Sequence, residues 1–289
     1  MDAFELARAR AAVAKGVNMK AAIIGANGII GNSLYHTLLP TCTECIGLTS
    51  QSTPPLVTVS YALSSLQEFM RKSDIIIYCI GVSKFAECEA SPEKSLYLNA
   101  DLPKEILKNL SPRQKFIYLS SPIALYDFKG KKPYNYALHK QCAEDIILHS
   151  GHDNFLIIRP SRIIESTTSI KEWKQKLSEG HTITPFFDYF ISPITAAMLS
   201  GQILRLIQDG HSGCYNFSAQ DRISYLDIAR ELCAHFGLDE ALIEKKSAQE
   251  HNPFFFRQDI LDCTDAGKAT GYIPPFSKDI IFDYFQKLA

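Results

Sequence analysis

The chain has 289 residues, enough for one large α/β domain or one domain with a smaller appendage. Its 30 basic and 31 acidic side chains leave a formal net charge of -1. That excludes a surface basic enough to follow a phosphate backbone and makes nucleic acid a poor partner. No apolar run approaches the ~20 residues of a membrane span, so no membrane partner is expected. The eight cysteines are scattered, and Cys42 and Cys45 have no second pair at zinc spacing. They read as plain thiols in a reducing, cytoplasmic compartment, with no metal site.

Residues 1–18 read as a polar, Ala-rich N-terminal extension expected to carry no chemistry, and the fold is expected to begin at Met19. The run KAAII stops at Gly25, as a buried parallel strand does. GANGIIG follows, with glycines at 25, 28 and 31, and then Ile30, Leu34 and Leu38 at helical spacing before Pro40. Strand, glycine turn and helix in that order form a dinucleotide site. The first glycine lets the chain turn, the second lets amides approach a pyrophosphate, and the third lets helix and strand pack closely. Cofactor contacts are expected at Gly25, Asn27, Gly28, Ile29, Ile30 and Gly31.

A second strand over residues 45–48 ends in Thr49-Ser50-Gln51-Ser52. A carboxylate here would hold the ribose 2′-hydroxyl of NAD, and an arginine would hold the 2′-phosphate of NADP. Neither is present. The hydroxyls of Thr49 and Ser50 tolerate a phosphate, which favours NADP and leaves NAD open. Residues 74–81 (DIIIYCIG) are the next buried strand, bringing Cys79, Ile80 and Gly81 past the cofactor. In the stretch after it Pro92 opens a helix whose apolar face is Leu96, Leu98, Leu102 and Ile106.

The strand FIYL (residues 116–119) delivers Ser120 and Ser121 at its C-terminal end, the edge of a parallel sheet where ligands bind. Fifteen residues after Ser121, Tyr136 and Lys140 open a helical pattern at i and i+4, on one face. A free tyrosine titrates near ~10, and a neighbouring ammonium stabilises its phenolate and lowers that value. A nearby serine hydroxyl can orient a carbonyl oxygen. Tyr134 is excluded as the acid because its i+4 partner is Leu138. Catalysis is therefore expected from Ser121, Tyr136 and Lys140.

These segments resemble an extended short-chain dehydrogenase/reductase, and most closely its dTDP-4-dehydrorhamnose reductase branch of the NAD-dependent epimerase/dehydratase group. GANGIIG is similar to the family's glycine motif, and SS followed by YALHKQCAE to its Ser/Thr and Tyr-x-x-x-Lys segment. ECEASPEKSLYLNA resembles the stretch ending in Val-Asn-Ala, which implies Asn99 beside the cofactor. FLIIRPSRII resembles the strand carrying Arg-Pro, which implies Pro160 beside the nicotinamide. The resemblance implies a Rossmann doubly wound α/β fold over residues 19–160. A smaller substrate-binding part over 161–289 would be interleaved with it, close over a nucleotide sugar, and supply contacts at Ser83, Arg162, Ser192 and Arg257. It also implies a homodimer as one available assembly.

This chain departs from the family in places. The gap from Ser121 to Tyr136 is shorter, trimming a loop that helps enclose the sugar, and Pro122-Ile123 stands where dehydratases carry Asp-Glu. The expected activity is NAD(P)-dependent reduction of a 4-keto sugar nucleotide. Two alternatives stay open: a 4-epimerase that retains NAD, and a non-catalytic dinucleotide-binding member.

Beyond residue 161, ITAAMLSGQILRLI carries a helical apolar stripe, GCYNF reads as a short strand, and Ser224 with Asp227 reads as a helix cap.

Overall fold

The strands β1 (Lys20–Ile24), β4 (Ile75–Tyr78) and β5 (Lys115–Leu119) consist almost wholly of apolar residues buried on both faces, which suits the interior of a parallel sheet covered by helices. The computed structural model describes residues 19–130, 132–255 and 260–288. The expectation for the N-terminal extension lies outside them.

Together with β2 (Glu44–Thr49), β3 (Val57–Thr58), β6 (Phe155–Pro160) and β8 (Gly213–Phe217), these strands form a seven-stranded parallel sheet in the order β3-β2-β1-β4-β5-β6-β8. The chain moves outward from β1 to β3 and then crosses to β4. The carboxyl ends of β1 and β4 therefore flank a topological switch point, where ligands bind in open α/β sheets.

Helix α1 (Ile29–Leu38) covers one face, placing Leu34 and Leu38 against Ile23 and Ile77. The other face is covered by α2 (Leu63–Lys72), then by short helices α3 (Phe85–Ala90) and α4 (Pro92–Leu96), and by α5 (Leu102–Lys108) and α6 (Asn135–Leu148). Between α4 and α5 the chain makes one π-helical turn, Tyr97–Asp101. Such turns concentrate at functional positions.

Helix α7 (Thr168–Ser178) belongs to a separate core, and α8 (Ala196–Gln208) returns to lie beside α1 on the first face. The sheet is thus completed by β8, and its first face by α8, both drawn from beyond residue 161. The stripe expected from residue 194 becomes helical at 196, because Thr195 caps it by accepting the Met198 N–H at 3.1 Å.

Strands β7 (Phe190–Ile191) and β9 (Ile223–Ser224) pair antiparallel, and α9 (Tyr225–Phe236) follows directly. Ser224 caps α9 as its sequence foretells, accepting the Asp227 N–H at 3.0 Å and donating to Asp227 Oδ2 at 2.6 Å. Ile170, Leu177, Ile228, Leu232, Ile280 and Tyr284 form the second part's own core. Among the described residues, no helix is long and apolar enough to cross a membrane.

Candidate active site

The glycine turn is dictated by space. Gly25 adopts φ +91°, and a Cβ there would lie 2.5 Å from Ile80 Cγ2. A Cβ on Gly31 would collide with the Gly25 carbonyl oxygen. Gly28 precedes α1 in an extended conformation, and no acidic side chain occupies the first turn of α1. Its positive N-terminus therefore faces the crevice without competition. Asn27, Gly28 and Ile29 are exposed there, and Ile30 is half-buried.

At the end of β2, Thr49 is fully buried and its hydroxyl accepts the Gln51 N–H at 3.2 Å. Ser50 is exposed. Of the two hydroxyls expected to face the ribose, only that of Ser50 is presented to solvent.

Beyond β4, Cys79 and Ile80 are half-buried and Gly81 is exposed. Beneath Gly81 two polar groups converge: a Cβ at that position would lie 2.5 Å from Asn99 Oδ1 and 3.7 Å from Lys140 Nζ. Asn99 is fully buried. Its Nδ2 donates to Val82 O at 3.0 Å and to Ser95 Oγ at 3.1 Å, while its Oδ1 has no partner. A buried acceptor left unpaired costs about 1–3 kcal/mol, so this atom suits a donor on a bound ligand.

Lys140 lies on the inner face of α6, donating to Tyr118 Oη at 3.0 Å and to Leu119 O at 2.8 Å. Burial pushes its ammonium down to about 7, against the favourable charge of Glu144. Tyr136 is half-buried one turn earlier, with its phenol beside Ser121 at the carboxyl end of β5. Burial raises the Tyr136 phenol, and the Ser121 hydroxyl and the Arg162 guanidinium oppose that rise. The sequence leads one to expect Lys140 to lower the phenol. In this structure the Lys140 ammonium turns into β5 instead, and the cation acting on the phenol is Arg162.

Arg162 is half-buried just past β6 and lies beside Tyr189 and Tyr225. Pro160 is buried at the end of β6. Ser83 is exposed on the loop after β4. Ser192 is 4% exposed, and its carbonyl accepts the Ser161 hydroxyl. Arg257 lies outside the described residues. The fold thus brings Ser121, Tyr136 and Arg162 together, and Gly81, Asn99 and Lys140 together, while Thr49 and Ser192 are enclosed.

Two features escape a reading of the sequence. Arg159 forks onto Glu144, with Nε 2.9 Å from Oε1 and an Nη 2.5 Å from Oε2, and Ser120 donates to the same carboxylate. The only sequence signal is that Glu144 lies four residues past Lys140. The second is an aromatic wall. Phe85 meets Tyr136 and Tyr134 edge-on at 5.5 and 5.2 Å and stacks on Phe254 at 5.6 Å, while Tyr189 stacks on Tyr225 at 5.6 Å. Among the described residues, no three His, Cys, Asp or Glu side chains are grouped to hold a metal ion.

The architecture is shared with several solved enzymes. A dTDP-4-dehydrorhamnose reductase from Clostridium acetobutylicum is 19% identical, with a TM-score of 0.79 over 93% of this chain and 99% of its own. The Bacillus anthracis dTDP-4-dehydrorhamnose reductase, solved in complex with NADP, is 18% identical, with a TM-score of 0.76 over 94% of this chain and 100% of its own. The Bordetella bronchiseptica enzyme WbmH, solved in complex with NAD+, is 16% identical, with a TM-score of 0.74 over 93% of this chain and 99% of its own. No curated protein sequence matches the chain. Residues 19–271 match the family model described as the RmlD substrate binding domain. With most of the chain covered by that match, and with a glycine turn, sheet order and Tyr-x-x-x-Lys helix in keeping with the resemblance read from the sequence, the chain belongs to the RmlD substrate-binding-domain family.

Proposed function

We propose that this protein is an NAD(P)-dependent oxidoreductase that reduces a carbonyl group of a nucleotide-linked sugar. The observation carrying the reading is the convergence, at the carboxyl ends of β4 and β5, of a Tyr136–Ser121 pair with Lys140 and the unpaired Asn99 Oδ1 behind Gly81. The residues present fit a dinucleotide. Gly25, Gly28 and the N-terminus of α1 would hold its diphosphate, and Gly81, Asn99 and Pro160 would surround its nicotinamide half. A bound nicotinamide supplies the hydride.

Tyr136, its phenol raised by burial, holds its proton at neutral pH and delivers it to the carbonyl oxygen as negative charge develops there. Ser121 donates to the same oxygen and fixes its direction. Lys140 presents ammonium protons to the ribose hydroxyls. Arg162 offsets the developing charge and offers a fork to the substrate diphosphate. The aromatic wall around Phe85 and Tyr134 excludes water and presents ring faces to the sugar. The absence of a carboxylate after β2, with Ser50 exposed, favours NADP; NADP and NAD+ each occupy one of the structural relatives.

Calorimetric titration of folded, cofactor-free protein with NADPH and with NADH tests the site, and micromolar binding of at least one is expected. Binding of neither overturns the reading. With a keto-sugar nucleotide as substrate, Tyr136→Phe is expected to abolish turnover while leaving cofactor affinity within a few fold. Unchanged turnover would remove Tyr136 from the mechanism.

A further inference from the structure

Two tyrosines stand side by side beneath the cofactor crevice. Tyr78 on β4 and Tyr118 on β5 are register partners, and their rings stack at 6.0 Å and 25°. Both are fully buried, and burial pushes both phenols well above their ordinary range, so each stays protonated and donates. They donate to consecutive carbonyls of the π turn: Tyr78 Oη to Leu98 O at 2.6 Å, and Tyr118 Oη to Asn99 O at 2.7 Å. The Leu102 N–H goes to Tyr97 O in the π turn and so misses Leu98 O, and Pro103 has no N–H to give Asn99 O; the tyrosines satisfy both carbonyls.

The two phenols differ in one respect. Only the Tyr118 oxygen also accepts a bond, from Lys140 Nζ at 3.0 Å, with the ammonium 4.5 Å from the Tyr118 ring centroid. A continuous path therefore runs from Lys140 through the Tyr118 oxygen to the backbone of Asn99. The two residues at its ends meet at one place, beneath Gly81.

We propose that Tyr118 is a positioning residue: its phenol ties the Lys140 ammonium to the π turn that carries Asn99, so that one side chain sets both groups behind Gly81. The cofactor part of the test rests on the dinucleotide reading above, because those two groups would meet the nicotinamide ribose. Without the phenol oxygen, Lys140 keeps Leu119 O as its only protein acceptor among the described residues, and Asn99 O loses its donor.

The groups facing Lys140 are Glu144 from its own helix, Cys79 just past β4, Cys88 from α3 and Tyr118 from β5. Of these, the Glu144 carboxylate is held by Arg159 and Ser120. An acceptor bonded to an ammonium favours its charged form, so removing the Tyr118 oxygen makes Lys140 lose its proton at lower pH.

The experiment compares wild type, Tyr118→Phe and Tyr78→Phe. Each variant deletes one buried phenol bonded to a π-turn carbonyl, but only the first touches Lys140. NADPH affinity is measured from about pH 5 to about pH 10, a range that holds both the folded Lys140 value of about 7 and a midpoint about one unit below it, with thermal unfolding recorded alongside. Comparable losses of melting temperature are expected in both variants. Only Tyr118→Phe is expected to move the midpoint at which affinity falls, downward by about one pH unit, as for loss of a bond to a charged group. Equal midpoints in the two variants would overturn the proposal.

A second measurement needs neither cofactor binding nor a stable Tyr118→Phe protein. In ligand-free Lys140→Met, amide hydrogen exchange over residues 97–102 is expected to quicken several-fold relative to wild type, because the Tyr118 phenol that holds the turn loses its own tie to α6. Exchange unchanged from wild type would overturn the tie through Tyr118, whereas failure of NADPH and NADH to bind wild type would overturn only the cofactor reading.

Discussion

Gly31 and Gly81 look alike in the sequence and do different work. A Cβ at Gly31 would strike the Gly25 backbone, which cannot move without undoing the turn. Gly31→Ala is therefore expected to destabilise the protein by about 3 kcal/mol or more, the upper range for overpacking a rigid site, read by chemical unfolding. A Cβ at Gly81 would instead meet the buried Asn99 amide oxygen at 2.5 Å and push that side chain from its place. Gly81→Ala should therefore lower the melting temperature and also weaken NADPH binding by about tenfold, equivalent to 1.4 kcal/mol. Equal affinity in that variant would place the nicotinamide half elsewhere. The sequence revealed both glycines, Tyr136, Lys140 and Ser121, because their chemistry is written as spacing along a strand or helix. It did not reveal that Thr49 is enclosed, nor that Lys140 turns into β5. Those outcomes depend on which atoms stand opposite, and Tyr118 lies 22 residues from Lys140 in the chain.

At the scale of elements, the apolar runs were legible as buried strands, since short β-branched stretches ending at glycine or serine have few other uses. The cap at Ser224 was equally legible, and Ser224→Ala is expected to cost about 1 kcal/mol. The π turn was not, because its extra residue leaves the apolar periodicity of Leu96, Leu98, Leu102 and Ile106 readable as ordinary helix. The joint between α6 and the sheet was also hidden. There Glu144 accepts from Arg159 on β6 and from Ser120 at the end of β5, with side chains only 6% and 11% exposed in the ion pair. Removing one partner of a buried pair strands the other charge, so Glu144→Ala is expected to destabilise by about 3–5 kcal/mol. A double variant, Glu144→Leu with Arg159→Met, should recover much of that loss. If the single and double variants unfold alike at the same denaturant concentration, the pair does not join helix to sheet.

For the whole molecule, the buried ammonium of Lys140 links stability to pH in the direction opposite to binding. Its folded-state value lies at about 7, pushed down by burial from an ordinary 10.5. Between those values the unfolded chain binds the proton that the folded chain has released, and stability rises with pH wherever the unfolded state holds more protons. Lys140's contribution is thus fully present above its unfolded value and is lost as pH falls towards its folded value. The ligand-free protein should therefore gain stability relative to Lys140→Met as pH rises from about 7 to about 10. The dinucleotide complex draws on the charged form, so NADPH affinity should fall over the same interval. Melting curves of wild type and Lys140→Met across that range separate the two effects: the gap between the proteins should change steadily with pH when no ligand is present. A gap independent of pH would mean that Lys140 is charged to the same extent in the folded and unfolded chains, and that the site beneath Gly81 is wetter than the enclosure by Tyr118, Cys79 and Cys88 requires.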